Sequence, residues 1–240
     1  MIAQMNRYLD FLRDKYGYPQ GTIAKGVEFP MLQTGDGASV ELLPHRVERR
    51  FIELKNMISG GTLQEVSTLR FAKFTAGGDL RKILAEQLDL AEFLAESPAV
   101  RIFAGGDGTR VCNAIVRFAN GISASLECGV NLPAGTKPQD RHEIIARRGV
   151  GCDRAVDTQV PQHSIYLWND NGTAEYTDVD TELFGLPDEA VWTIRAACAI
   201  LKDAALIPLW KQCAARAMML ADAALDSAAR NEPVMIKGEC

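Results

Sequence analysis

Three histidines, at positions 45, 142 and 163, are the side chains in this chain best suited to move a proton near neutral pH. They are far apart in sequence. None is followed at the i+3 or i+4 spacing by another histidine or a cysteine, so each reads as a hydrogen-bonded histidine rather than a metal ligand. Arg46, Arg49 and Arg50 fall within one short stretch. Arginine forks suit carboxylates, and these three could clamp an anionic ligand, against the simpler reading as solvated surface residues. Asp36, Asp107, Asp153 and Asp170 lie where turns are expected, a position in which aspartate needs no further role. The run Gly105-Gly106-Asp107-Gly108 is the one glycine cluster that invites comparison with a phosphate cradle; it sits between two expected strands with no helix after it, so it reads as a turn. Asn171-Gly172-Thr173 matches a glycosylation acceptor but, without a secretory signal, also reads as a turn.

The elements that must position these residues follow from hydrophobic spacing. Asn6 to Tyr16 has the pattern of a short helix stopped by Gly17, and residues 17–37, with turn chemistry at both ends, read as an irregular arm. A strand is expected over Val40–Arg46, then a helix over Phe51–Ile58 with Phe51, Leu54, Met57 and Ile58 on one stripe, ended by Ser59-Gly60-Gly61. Glu65–Phe74 reads as a long strand. Asp79 is a suitable N-cap for a helix to about Glu96, with Leu80, Ile83, Leu84, Gln87, Leu88, Ala91 and Leu94 facing inward and Pro98 beyond its end. Residues 110–119 and 122–128 alternate and meet across Asn120-Gly121, which predicts a type I′ hairpin. The alternation puts Cys112, Ala114, Val116 and Phe118 on one face with Ile122, Ala124, Leu126 and Cys128. Further strands are expected at His142–Ala146, Ser164–Trp168 and Ala174–Asp178, with a turn at 169–172. Two alanine-rich helices, Pro187 to about Ala204 and Pro208 to about Arg230, close the chain. The resulting expectation is an α+β fold: an open, predominantly antiparallel sheet with helices packed on one face, over residues 38–238. Leu69, Phe71, Ile115, Tyr166 and Trp168 are expected on the other face, available for oligomerisation.

Composition narrows the function classes. The 240 residues carry 26 Lys and Arg against 31 Asp and Glu, a net charge of −5, and the basic residues are dispersed. A phosphate backbone would find no basic patch, which excludes nucleic acid as the expected partner. No run approaches the roughly 20 apolar residues of a membrane span, and no apolar signal core opens the chain, so a cytoplasmic protein is expected. Six cysteines without a C-x-x-C pair read as reduced, mostly buried thiols.

Four stretches, in order, resemble the C-terminal domain of the Gfo/Idh/MocA oxidoreductase family. Arg49-Arg50-Phe51 through Ser59-Gly60-Gly61-Thr62-Leu63-Gln64-Glu65-Val66 is similar to its arginine-phenylalanine helix and the turn into the next strand. Leu88-Asp89-Leu90-Ala91-Glu92-Phe93-Leu94 resembles its "LDLLRWL" helix. Val116 to Ala124 with His142-Glu143-Ile144-Ile145 is similar to its "RF-NG" hairpin and "HEI" strand, and Ala224 to Arg230 with Pro233-Val234 to its terminal signature. The resemblance implies a substrate-side and oligomerisation domain. The N-terminal Rossmann domain of the family, with its glycine-rich pyrophosphate turn and its "EKP" lysine, has no counterpart in this sequence. Many family members carry an Asp and a His one helical turn apart before "DLDL", the His acting as general base; alignment places Lys82 and Glu86 there. The pair reads either as a solvated i,i+4 ion pair or as a catalytic pair inside a cleft.

The resemblance therefore implies a relative that binds no cofactor by itself, taking NAD(P) only from a partner subunit. It would act as a partner or sugar-like, polyol-like binding subunit of an oxidoreductase assembly. A homo-oligomer, or a hetero-oligomer with a Rossmann-containing homologue, would form through the open sheet face. The alternatives are a cofactor-independent isomerase or lyase and a structural homo-oligomer. On these readings Lys82 and Glu86 are the candidate catalytic residues, and Arg46, Arg49 and His142 the candidate substrate-binding residues.

Overall fold

The first helix, α1 (Ile2–Tyr16), buries Met5, Leu9 and Leu12 and stops where Gly17 takes φ 71° and donates its N–H to the Arg13 carbonyl, the left-handed cap that glycine adopts without strain. The computed structural model describes residues 1–153, 165–169, 172–176 and 186–237. Residues 17–37, read from sequence as an irregular arm, instead carry strands β1 (Gly21–Ala24) and β2 (Met31–Thr34), which with β3 (Ser39–Glu41) form a three-stranded antiparallel sheet. Ile23, Leu32 and Val40 lie in register at its centre and are fully buried. The Asn6 side chain tethers this sheet to α1, donating to the Ile23 carbonyl at 2.8 Å and accepting from the Ile23 N–H at 2.7 Å. The strand expected over Val40–Arg46 ends at Glu41, and Pro44–Arg46 forms a single 3-10 turn, which suits the fixed φ and missing N–H of Pro44.

Helix α2 (Arg49–Ser59) buries Phe51, Leu54 and Met57, three of the four residues on its expected stripe. Strand β4 (Val66–Phe74) follows, then α3 (Leu80–Ala95), whose N-cap Asp79 accepts from the Arg81 N–H at 2.9 Å. All seven stripe residues of α3 are buried. Arg81 also holds Asp222 through two bonds of 2.5 and 2.8 Å.

Strands β5 (Ala99–Gly106), β6 (Val111–Phe118), β7 (Ser123–Gly129), β8 (Gln139–Ala146), β9 (Gly149–Cys152), β10 (Ile165–Asn169) and β11 (Gly172–Tyr176) come next, then helices α4 (Asp188–Lys202) and α5 (Leu206–Arg230) and strand β12 (Val234–Met235). One sheet has the order β11-β10-β9-β8-β4-β7-β6-β5-β12, and β4–β7 is its one parallel pair among the described residues. The open, predominantly antiparallel α+β architecture expected from sequence is therefore present. The hairpin between β6 and β7 differs in its turn. Phe118 and Ile122 close a three-residue loop in which Gly121 alone takes a left-handed φ, 92°, so it is a type I turn with a glycine bulge rather than a type I′ turn. Asn120 is engaged elsewhere, donating through Nδ2 to the Ala95 carbonyl and accepting from the Ile122 N–H. The turn expected at 169–172 falls partly outside the described residues; its flanking strands pair as anticipated.

The face covered by α3 carries Cys112, Ala114, Val116, Phe118, Ala124, Leu126 and Cys128, all buried as the alternation required, while Ile122, just before β7, is half-buried. Leu69 and Phe71 are also on this face, not on the open one as expected. Strand periodicity separates two faces without saying which one is covered, and in β4 the covered face is the one that carries Leu69 and Phe71. Ile115 does lie on the open face, exposed, in register with exposed Phe103. The side chains of Tyr166 and Trp168 lie outside what the structure describes.

The chain divides into two units, Met1–Glu48 with Val179–Arg216 and Arg49–Asp178 with Ala217–Cys240. In the first, α4 packs on α1 and β1 through a buried side that includes Ala190, Ile194, Ala197 and Ile200. In the second, Ser227 of α5 accepts from the Ala104 N–H at 2.9 Å and donates to the Glu232 carbonyl at 2.6 Å. It thereby satisfies a β5 edge group that two-residue β12 does not reach. No helix among the described residues is long and apolar enough to cross a membrane.

Candidate functional site

The covered face of the large sheet turns polar at one end. Register places Phe71 of β4 opposite His142 of β8, and the next inward position along each strand places Lys73 opposite Asp140. Lys73 is also level with Cys128 of β7, which is opposite Cys112 of β6. Two helices supply the partners. Glu86 of α3 accepts from Lys73 Nζ at 3.0 Å, and its neighbour Gln87 brings its side-chain amide 2.9 Å from His142 Nε2. From the first turn of α2, Arg50 donates through Nη2 to Asp140 at 2.6 Å and through Nη1 to Asp153 at 2.8 Å. Asp153 follows β9 and accepts from both the His142 backbone N–H (2.5 Å) and Nδ1 (2.6 Å). Phe51 and Phe71 pack against the His142 ring at 4.7 and 4.8 Å between centroids, and the Arg50 guanidinium lies 4.4 Å from the Phe51 ring.

This network has a sealed floor and an open rim. The side chains of His142 and Asp153 are 0% exposed, whereas Lys73 is 26%, Glu86 23%, Asp140 25% and Arg50 15% exposed. Burial raises the Asp140 carboxyl, but the His142 ring and the Arg50 and Lys73 charges outweigh it and hold the group well below the ordinary carboxylate range. For Lys73, burial lowers the ammonium, and Glu86 and Asp140 more than offset it, leaving the group above the ordinary lysine value. Lys73 is therefore a fixed cation and hydrogen-bond donor near neutral pH, not a base. Asp140 Oδ1 is buried without a hydrogen bond among the described residues and lies 3.5 Å from His142 Nε2. Burial pushes the Cys112 thiol up to about 11 and the Cys128 thiol higher still, so neither is a nucleophile here. Among the described residues no group of three or more His, Cys, Asp or Glu side chains is placed to hold a metal ion.

Of the residues singled out from sequence, Glu86 and His142 come together in this cluster. Lys82 does not pair with Glu86 and makes no ion pair among the described residues; Glu86 turns to Lys73 instead. Arg49 is exposed and lies 3.7 Å from Glu53, while its neighbour Arg50 is the arginine in the network. Arg46 sits in the 3-10 turn of the first unit. Sequence reasoning took Asp153 for a turn residue and Gln87 for part of an apolar stripe, and passed over Lys73 and Asp140. One signal could have found the last two: they continue the inward parity of Phe71 and His142, a charged residue at a buried position on each strand.

The glycine turn at 105–108 does not fit the pyrophosphate cradle of the family that the sequence resembles. The backbone donors of Thr109, Arg110 and Val111 all point at Asp107 Oδ1, at 3.0, 2.6 and 3.0 Å. The site an anion would take is filled by the chain's own carboxylate, whose pKa these bonds hold far below its ordinary value.

No protein-family model matches the sequence, and no curated protein does. Solved structures do share the fold. An oxidoreductase from Agrobacterium radiobacter, in complex with NAD+, L-tartaric acid and magnesium, superposes with a TM-score of 0.62 at 16% identity over 80% of this chain. An inositol dehydrogenase homolog from Azotobacter vinelandii, complexed with NADH and myo-inositol, gives 0.60 at 12% over 81%. The scyllo-inositol dehydrogenase of Lactobacillus casei, with bound NAD(H) and scyllo-inositol, gives 0.58 at 15% over 80%. The matched region spans 63% of the length of each of these structures. At such identities the shared property is the fold alone.

Proposed function

We propose that this chain is a relative of the Gfo/Idh/MocA oxidoreductases that binds a sugar-like or polyol-like small molecule and serves as a subunit of an oxidoreductase assembly. The observation that carries the reading is the cluster of Arg50, Lys73, Glu86 and Asp140, which reaches the surface at one end of a sheet whose fold is shared with inositol dehydrogenases. Lys73 offers donors and Glu86 an acceptor, the combination that hydroxyl groups require because each both donates and accepts. His142 has both ring nitrogens engaged and no exposed surface. It fixes the floor by joining β8 to α3 and to Asp153 and does not touch a ligand. Hydride transfer needs a nicotinamide held against the substrate. In this reading the dinucleotide belongs to a Rossmann-containing partner docked on the open sheet face, where Phe103 and Ile115 are exposed. The task of this chain is to bind and orient.

The second reading, cofactor-independent acid and base chemistry, draws support from the Lys73–Glu86 pair, whose opposite charges lie 3.0 Å apart at the rim. Loss of turnover in Glu86→Gln with an unchanged melting temperature would favour it. The leading reading is tested by titrating the purified protein with NADH, NADPH and a panel of polyols by calorimetry. Polyol binding without dinucleotide binding is expected; tight dinucleotide binding with polyol turnover by this chain alone overturns it.

A further inference from the structure

Resting on the reading that a partner subunit docks on the open sheet face, we infer that this partner meets it with an acidic surface. The partner is a protein other than a second copy of this chain, and it presents carboxylates beside an apolar side chain. A pair of arginines carries the argument. Register sets Arg101 of β5 opposite Arg117 of β6, and both are exposed. Like charges facing each other across two strands destabilise a sheet. Nothing among the described residues relieves this pair: neither arginine makes an ion pair there, and Arg117 reaches the Ser123 hydroxyl at 3.0 Å. A local conflict that the fold leaves uncompensated is most often found where a protein has a further task.

The neighbours of the pair indicate what kind of molecule relieves it. Phe103 and Ile115 lie one position further along the same face of β5 and β6, and Met235 of β12 is opposite Arg101; they are 41%, 53% and 67% exposed. Aromatic residues, methionine and arginine are enriched where proteins dock, and a phosphate backbone has no apolar surface to set against such a patch. Charge then separates one protein from another. Among the described residues this face carries Arg70, Arg101, Arg117 and Arg141 against Glu127 and Glu143, a cationic surplus on a chain whose net charge is −5. Glu143 is already engaged, 3.3 Å from Arg70 and 4.0 Å from Arg141. A second copy would therefore bring Glu127 alone to meet the arginine pair, together with two more unpaired arginines. A partner with carboxylates level with Arg101 and Arg117 and an apolar side chain over Ile115 removes the repulsion and covers the patch.

The test is photo-crosslinking in the native host with the full chain carrying Ile115→p-benzoylphenylalanine, followed by mass-spectrometric mapping of the crosslinked peptide. The expected product joins this chain to a different protein through a peptide that holds two or more Asp or Glu residues. Arg101→Glu with Arg117→Glu should lower its yield about ten-fold or more, because like charges then face each other across the contact. Arg101→Lys with Arg117→Lys keeps the charge and should lower it about three-fold at most. Both variants should keep the parent's melting transition and polyol affinity, since neither position touches the cluster around Lys73. A crosslinked peptide without carboxylates, or a loss no greater in the glutamate variant than in the lysine variant, overturns the acidic-partner inference and leaves docking on this face standing. A crosslink to a second copy of this chain, or no crosslink, overturns both; polyol binding is read separately by calorimetry.

Discussion

The two faces of the large sheet break the ordinary pattern in opposite directions. The covered face, which should be apolar throughout, ends in Lys73, Asp140 and His142. The open face, where Arg70 pairs with Glu143 and Arg101, Arg117 and Glu127 are exposed, carries Phe103 and Ile115 side by side. Local rules are most often broken where a protein has a task beyond folding. The difference between the faces lies in how each exception is accommodated. Every buried charge on the covered face has a counter-charge supplied by α2, α3 or the segment after β9, which makes the polar end rigid and costly to disturb. The apolar pair on the open face has no such arrangement and adds little to the fold.

That contrast yields a graded series of outcomes. Asp153→Ala should have the largest effect, because it strips Arg50 and the sealed His142 of their shared carboxylate. A loss of about 3–5 kcal/mol in denaturant unfolding is expected, and a loss below about 1 kcal/mol would mean that the network does not hold the floor together. Ser227→Ala should cost about 1–3 kcal/mol in the same measurement, since the buried Ala104 N–H loses its acceptor. The pH dependence should show both limbs of the cluster. The carboxyl of Asp140 is depressed in the folded state, so its contribution is present above the ordinary carboxylate pKa of about 4 and fades as pH falls below that; Asp140→Asn should flatten this acid limb. The ammonium of Lys73 is raised, so its contribution is intact below the ordinary lysine value of about 10.4 and fades as pH climbs past it, a slope that Lys73→Met should remove. Smallest of all, replacing Phe103 and Ile115 together with serine should change unfolding by no more than about 0.5 kcal/mol. Light scattering on that double variant should show dissociation if the open face docks a second copy, and an unchanged mass would remove a second copy of this chain from that face.

What could be read from the sequence divides along the same line. Helix α3 was legible because Asp79 caps it and its seven inward residues keep a helical period. The 112–128 strands were legible because their alternation is unbroken. Strands β1 and β2 were not, since four residues before Gly26 and four between Pro30 and Gly35 are too few to display a period. The cluster was hidden for another reason. Arg50 and Asp153 are 103 residues apart, Arg50 and Asp140 are 90 apart, and His142 and Gln87 are 55 apart. Only the pairing of β4 with β8 beneath two helices makes them neighbours. The spacing of Lys82 and Glu86 suggested a pair within one helix, but a cation from the adjoining sheet reached Glu86 instead.

The central claim is that the polar end of the covered face is where a small polyol binds, and amide chemical shifts of the 15N-labelled protein during titration with myo-inositol test it most directly. The account predicts saturable shifts concentrated at Lys73–Thr75, Glu86–Gln87 and Gln139–His142. Shifts confined to other parts of the chain, or none at millimolar ligand, would contradict it.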